Sequence, residues 1–157
     1  MNRDNWKAYA AWIALAEGTG ALAGFLARKG IQYFSAAVNK PPLTPPPAAF
    51  PIAWGILYLL MGIGAARVWL RPVSRSRSRS LNLFLIQLAV NFLWTLIFFN
   101  LRAYGPAFLT LALLWALILL MTLSFRQVDG PAAAMQIPYL LWVLFAAYLN
   151  GGVWALN

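Results

Sequence analysis

The chain of 157 residues contains no cysteine and no histidine, and it has only three acidic side chains. Without cysteine it forms neither a disulfide nor a thiolate metal site, and without histidine it lacks the commonest metal ligand and general base. A Ser-His-Asp triad is excluded. The sequence therefore predicts no metal site and no obligatory cofactor, and any catalysis would have to use other side chains.

Charged residues are also scarce, at 10% of the chain, whereas hydrophobic residues make up 62%. A water-soluble domain of this size carries far more charge on its surface. The composition therefore predicts an integral membrane protein of the all-α class. The apolar segment that starts near Trp6 is too long for a signal peptide and lacks a cleavage site, so it is interpreted as a spanning helix.

Five segments are long and apolar enough to cross a bilayer. They cover residues 6–27, 47–70, 81–101, 104–124 and 132–156. Most turns between them are short, which predicts antiparallel neighbours in one bundle and a single domain over residues 1–157. Eight basic residues fall on one side and four on the other, which favours an amino terminus inside and a carboxyl terminus outside.

The net charge of +9 and the Ser-Arg run at 74–80 are typical of nucleic-acid binding when they occur in soluble proteins. In a membrane protein, basic loops are usually topology signals or contacts with anionic lipid. We therefore expect membrane lipid as a partner and no nucleic acid. The run itself is predicted to be a solvated cytoplasmic loop.

The connection over residues 28–47 is much longer than the others and contains five prolines near its end. Prolines make a segment stiff and extended, and long loops often serve as lids over binding sites. We predict that this loop caps a ligand cavity, with a simple spacer as the alternative.

Three spans each carry aromatic and amide side chains on one helical face, because these residues recur every three or four positions. Amides that face lipid are costly, so the faces are expected to look into the bundle, either as interhelical hydrogen bonds or as ligand contacts. Together they predict a slot for a large, flat, apolar ligand. The faces comprise Trp54, Tyr58, Met61 and Ala65, then Gln87, Asn91, Trp94 and Phe98, then Tyr139, Trp142, Ala146, Leu149 and Asn150.

The first span contains two further features. Glu17 is the only acid within a predicted span, and it is either a functional group or a structural partner, with Arg67 a candidate by sign alone. Gly20 and Gly24 form a GxxxG pattern, which permits close helix packing within the bundle or in a dimer.

Linked motifs recur in order along nearly the whole chain. They are Lys40-Pro41 with Pro45-Pro46, Phe50-Pro51-x-x-Trp54, Leu57-Tyr58 with Met61-Gly62, Gln87-Leu88-x-x-Asn91-x-x-Trp94 with Phe98-Phe99, and Pro138-Tyr139-x-x-Trp142 with Phe145-Ala146 and Leu149-Asn150. With these motifs the chain resembles the TspO/MBR family: the tryptophan-rich sensory proteins of bacteria and the translocator, or peripheral benzodiazepine receptor, proteins of mitochondria.

The resemblance implies a five-helix bundle, often a homodimer, that binds protoporphyrin IX-like porphyrins and other apolar ligands beneath the first loop. It implies that Trp54 and Trp142 match the tryptophans tied to light-dependent porphyrin breakdown, which makes them the candidate catalytic residues. Ala146 matches the small residue beside the bound porphyrin. The predicted ligand-binding residues are Pro47, Phe50, Trp54, Tyr58, Met61, Gln87, Asn91, Trp94, Phe98, Tyr139, Trp142, Phe145, Ala146, Leu149 and Asn150.

The chain departs from the family pattern in its first loop and at its end. Phe34, Ser35 and Leu43 stand where the family often has aromatic residues, and residues 151–157 lack the animal cholesterol motif. The preferred interpretation is a sensor or regulator that binds porphyrin. The alternatives are a photochemical porphyrin-degrading enzyme and a transporter of porphyrin or lipid, although no internal repeat supports transport.

Overall fold

The computed structural model describes residues 2–157, and within them it contains helices and connections but no strand. Five helical segments are long and apolar enough to span a membrane, which confirms the predicted all-α, five-span fold. The elements are α1 (Asn5–Leu26), α2 (Arg28–Ala37), α3 (Ala49–Trp69), α4 (Arg75–Thr95) with a π turn (Leu96–Asn100), α5 (Tyr104–Val128), α6 (Gly130–Ala134) and α7 (Ile137–Leu156).

The Ser-Arg run is helical, so the predicted solvated loop over 74–80 is wrong, and the third span begins at Arg75 rather than at residue 81. Ser74 caps α4 because its hydroxyl accepts a hydrogen bond from the Arg77 backbone N–H at 3.1 Å. The Arg77 guanidinium donates to the Trp69 carbonyl at 2.7 Å. This places a cation at the C-terminal end of α3, where the helix dipole favours positive charge.

The long first connection is extended only in its second half. Residues 28–37 form α2, and the non-helical segment covers residues 38–48, so the prediction of an extended loop over 28–47 is wrong for its first half. The first proline of the connection is Pro41, so no proline interrupts the helix over residues 28–37. Gly30 lies so close to the Phe99 carbonyl that a Cβ would collide with it, and α2 therefore packs directly on the π turn.

Two glycines allow α1 and α3 to approach closely. A Cβ at Gly62 would lie 2.5 Å from Ile13 Cα, and a Cβ at Gly20 would run into the Tyr58 ring. Gly24 has open space instead. Gly20 of the GxxxG pattern therefore serves packing inside the bundle, and dimerisation stays a prediction.

Asp129 joins three elements at the end of the bundle that holds the amino terminus. Its buried carboxylate pairs with Arg67 at 3.1 Å and Arg71 at 2.6 Å, and it accepts a hydrogen bond from the Ala132 N–H at 2.9 Å. The suggested pairing of Arg67 with Glu17 is wrong. Burial raises the pKa of the Asp129 carboxyl, but the hydrogen bonds from Ala132, Arg71 and Arg67 outweigh burial and hold the pKa below its usual range.

We predict that the folded chain loses stability in acid through Asp129. Because the folded carboxyl has the lower pKa, its contribution is complete above the pKa of an unfolded aspartate, about 3.9, and is lost as the pH falls through the folded value. Asp129→Asn should lower the free energy of unfolding at pH 7 by about 2 kcal/mol. Thermal unfolding of the solubilised protein between pH 7 and pH 3 measures both effects.

Asp4→Asn is the matched control, because Asp4 forms only an exposed ion pair with Lys7 at 2.9 Å. This variant should follow the wild-type pH profile, whereas the Asp129 variant should have a flatter one. Equal acid sensitivity of wild type and Asp129→Asn would contradict the assignment.

Candidate functional site

A chain of buried hydrogen bonds joins α3, α4 and α7 in the middle of the bundle. The Tyr58 hydroxyl donates to Asn91 Oδ1 at 3.2 Å, and Asn91 Nδ2 donates to the Tyr139 hydroxyl oxygen at 2.6 Å. The Tyr139 hydroxyl then donates to Gln87 Oε1 at 2.7 Å. The two amides of α4 thus act as interhelical links, which was one of the two interpretations of their helical face.

A second link lies nearer the end that carries α2. Trp94 Nε1 donates to Asn150 Oδ1 at 3.1 Å, and Asn150 Nδ2 donates to the Tyr104 carbonyl at 2.8 Å. These bonds fix α4 to α7 and to the start of α5. They hold the Trp94 ring in one orientation against the space between the helices.

That space is a cavity of about 740 Å³, bounded by α1, α3, the end of α4, α7, α2 and the proline segment. Its wall is mostly apolar and aromatic, as is usual for small-molecule sites. The lining residues are Glu17, Gly20, Ala21, Ala23, Gly24, Ile31, Phe34, Ser35, Lys40, Thr44, Pro45, Pro47, Phe50, Pro51, Trp54, Gly55, Tyr58, Trp94, Thr95, Phe98, Phe99, Trp142, Ala146, Leu149 and Asn150.

Trp54 is the centre of the aromatic wall. Its ring centroid lies 5.6 Å from Tyr58, 6.1 Å from Trp94 and 6.3 Å from Trp142, with the two indoles of Trp54 and Trp142 at 88° to each other. Trp142 Nε1 is buried and has no hydrogen-bond partner among residues 2–157. Ring contacts alone, including one to Phe50 at 6.2 Å, therefore hold Trp142.

The proline segment is fastened to the carboxyl end of α7. Asn157 accepts a hydrogen bond from the Asn39 backbone N–H at 3.1 Å and donates one to the Asn39 carbonyl at 2.8 Å. The Tyr148 hydroxyl donates to the Pro42 carbonyl at 2.8 Å. Lys40, Thr44, Pro45 and Pro47 of this segment line the cavity, so the segment and α2 together form a lid.

Ten of the predicted ligand-binding residues line the cavity, and they come from three helices and the lid. They are Pro47, Phe50, Trp54, Tyr58, Trp94, Phe98, Trp142, Ala146, Leu149 and Asn150. The structure thus brings together the three predicted faces at one end of the bundle. Their role as ligand contacts stays a prediction.

Five predicted residues do not line the cavity. Met61, Gln87, Asn91 and Tyr139 are buried in the core, where the hydrogen-bond chain occupies them, and Phe145 packs beside Trp142 at 5.7 Å. The expectation that Asn91 and Tyr139 share the cavity wall is therefore wrong. Helical spacing identifies the inward face of a span but not the depth at which the bundle leaves a space.

The predicted ligand-binding residues include none from α1 or α2, although the sequence indicates Glu17 as a candidate functional group and residues 28–47 as a lid. Gly20, Ala21 and Gly24 follow Glu17 at helical spacing, i+3, i+4 and i+7, and their small side chains gave no aromatic signal. Phe99 joins Phe98 on the wall within the π turn, in which the Leu101 N–H bonds to the Leu96 carbonyl. Turns of this type are frequent at functional sites.

Comparison with known protein sequences agrees with this five-helix arrangement. The sequence profile of the TspO/MBR family matches residues 10–155. The chain belongs to the TspO/MBR family. It is 39% identical to Protein CrtK of Rhodobacter capsulatus over the whole chain and 95% of that protein. It is 36% identical to the translocator protein of Ovis aries over 85% of the chain and 79% of that protein, and 33% identical to the tryptophan-rich sensory protein of Cereibacter sphaeroides over 100% and 95%.

The departures from the TspO/MBR pattern in the lid differ in their consequences. Leu43 is 81% exposed, has a positive φ of 70° and does not line the cavity. Phe34 lies on the wall and contacts Phe98 and Phe99 at 5.6 Å each. The lid of this TspO/MBR protein therefore keeps an aromatic contribution to the site.

We predict that Tyr139→Phe destabilises the fold, because it leaves the Asn91 amide and Gln87 Oε1 without their partner. The expected loss is about 1–3 kcal/mol in the free energy of unfolding. Tyr148→Phe removes the same hydroxyl from an exposed bond to the lid and should cost about 0.5 kcal/mol. Thermal unfolding of both variants checks the difference, and equal losses would show that the network carries no special share of the stability.

Proposed function

We propose that this TspO/MBR protein is a membrane sensor or regulator that binds protoporphyrin IX-like porphyrins and other planar apolar ligands in the cavity. The observation that carries the proposal is the pair Trp54 and Trp142. Their rings belong to different helices, lie 6.3 Å apart at 88° and both line the cavity. Flat aromatic ligands gain from offset and edge-to-face contacts with such rings. The cavity volume of about 740 Å³ lies within the usual range for small-molecule sites.

The family relationship supports a membrane role in sensing or transport, and ligand binding is a step that both roles need. The distribution of basic residues supports an orientation with the amino terminus inside and the lid outside. Membrane lipid then surrounds the exposed apolar faces. A homodimer, which the family resemblance implies, is the proposed assembly.

Ala146→Thr tests the cavity as the porphyrin site. Ala146 lines the wall on α7 one turn from Trp142, and the larger side chain should narrow the space. Overpacking of about 1–3 kcal/mol corresponds to about fivefold to hundredfold weaker binding. Titration of purified protein with protoporphyrin IX in the dark, followed by tryptophan quenching, measures this change.

Ala155→Thr is the matched control, because Ala155 is exposed on the last turn of α7 and does not line the cavity. Its dissociation constant should equal that of the wild type. An unchanged constant for Ala146→Thr would remove Ala146 from the site, and absence of saturable binding to the wild type would refute the proposed function.

The same pair of indoles favours a second candidate, a photochemical enzyme that degrades porphyrin. Among the described residues, indoles and phenols are the oxidisable side chains on the cavity wall, and Trp54 and Trp142 are the only indoles there apart from Trp94. The Trp94 N–H is bonded to Asn150, whereas Trp142 has no polar partner among residues 2–157. With the family resemblance, Trp54 and Trp142 are the candidate redox partners.

Trp142→Phe separates binding from photochemistry. A phenyl ring keeps most of the apolar contact area, so porphyrin binding should largely persist, whereas light-driven loss of the porphyrin absorption band should slow several-fold. Trp154→Phe, at a ring outside the cavity, is the control. A parallel fall in binding and light-driven loss would make Trp142 a packing residue. If wild-type protein adds nothing to the bleaching of free porphyrin, the enzyme candidate is refuted.

A further inference from the structure

Glu17 places a carboxylate on the wall of a mostly apolar cavity. It lies in α1, nine residues before that helix ends at Leu26, which is about 14 Å along the helix axis. Of the three acidic residues in the chain, it is the one within a membrane span; Asp4 precedes α1 and Asp129 lies between α5 and α6. A charged group at such a position is costly unless something pairs with it.

No partner for this carboxylate exists among residues 2–157, where Glu17 takes part in no hydrogen bond or ion pair. Three basic side chains of the adjoining elements make contacts with groups other than Glu17. Lys40, on the same wall, donates to the Ser35 carbonyl at 3.3 Å and the Val38 carbonyl at 3.1 Å. Arg28 donates to the Phe25 carbonyl at 2.7 Å, and Arg67 pairs with Asp129.

Most other polar side chains of the wall are engaged as well. The hydroxyl of Tyr58, whose ring packs on Gly20 one turn from Glu17, donates to Asn91. Thr44 and Thr95 donate to the carbonyls of Pro41 and Asn91 at 2.7 Å and 3.2 Å. The Glu17 carboxyl group is therefore an acceptor on the cavity wall that no described side chain occupies.

Space for a partner is present beside it. Residues 20, 21 and 24 continue the helical face of Glu17 and are glycine or alanine, and a Cβ at Gly24 would meet no atom within 4 Å. A flat ring system lying on this face could place a nitrogen substituent against the carboxylate while its rings contact Trp54 and Trp142. Charge-assisted hydrogen bonds of this type are about twice as strong as neutral ones.

We propose that Glu17 is the recognition site for a protonated amine on the ligand, so that among planar compounds with the same ring system the cavity binds the ammonium form more tightly than the neutral and anionic forms. This inference rests on the proposed function, because it needs a cavity that accepts planar ligands. It adds a charge preference which the aromatic wall alone does not give. The same carboxylate disfavours ligands whose acidic groups are directed toward α1.

Three pyrene derivatives with one ring system and different charge test the preference. They are 1-pyrenemethylammonium, 1-pyrenemethanol and 1-pyrenecarboxylate, each titrated into protein in zwitterionic nanodiscs and followed by energy transfer from tryptophan, with empty nanodiscs subtracted. Wild-type protein should bind the ammonium compound about tenfold more tightly than the alcohol, which is about 1.4 kcal/mol. The carboxylate should bind more weakly than the alcohol.

Glu17→Gln should reduce the preference for the ammonium compound over the alcohol to about twofold or less, and saturable binding of the alcohol to this variant shows that the cavity is intact. Asp4→Asn removes the same charge from an exposed site and should behave as wild type. Binding of the alcohol without any preference for the ammonium compound in wild type overturns the role of Glu17 alone. A preference for the ammonium compound that survives in Glu17→Gln also overturns the role of Glu17. If none of the three compounds binds to wild type, the proposed planar-ligand site fails, and this inference fails with it.

Discussion

Polar side chains inside a bilayer have no water to bind, so the protein itself must complete their hydrogen bonds. The bonds among Tyr58, Asn91, Tyr139 and Gln87 satisfy this requirement across α3, α4 and α7, and none of the four residues is more than 6% exposed. Trp54 packs on two of them, Tyr58 at 5.6 Å and Tyr139 at 6.3 Å. The position of the cavity wall therefore depends on a network of which only Tyr58 lines the cavity.

The two ends of the bundle are held by different forces. At the amino-terminal end, buried Asp129 is bound by two arginines and by the first turn of α6. At the other end, exposed hydrogen bonds such as those between Asn39 and Asn157 hold the proline segment. Exposed bonds with few buried apolar contacts open at lower cost than a buried network. The lid end is therefore the side from which the cavity is most easily reached.

The inward face of each single span could be predicted from the sequence, whereas contacts between segments that are distant in the chain could not. The spacing of Trp54, Trp94 and Trp142 identified three inward faces, because helical period alone decides which residues share a face. Residues 28–37 form a helix that packs on Phe99 through Gly30, and this close approach between distant segments could not be predicted from the sequence. The Ser-Arg run has the composition of a loop, yet the Ser74 cap and the bond from Arg77 to Trp69 make it helical.

Polar side chains that have no hydrogen-bond partner within the bundle are informative for the same reason. Gln136 Oε1, near the end that holds Asp129, and Trp142 Nε1 are the buried side-chain nitrogen or oxygen atoms without a partner among residues 2–157. Trp142 lines the cavity, and so does the unpaired carboxylate of Glu17. An unsatisfied polar group lowers the stability of the empty protein, and a bound molecule that supplies the missing partner recovers that free energy. Two of these three groups lie on the cavity wall, so a molecule bound there can supply hydrogen-bond partners that the bundle itself does not provide.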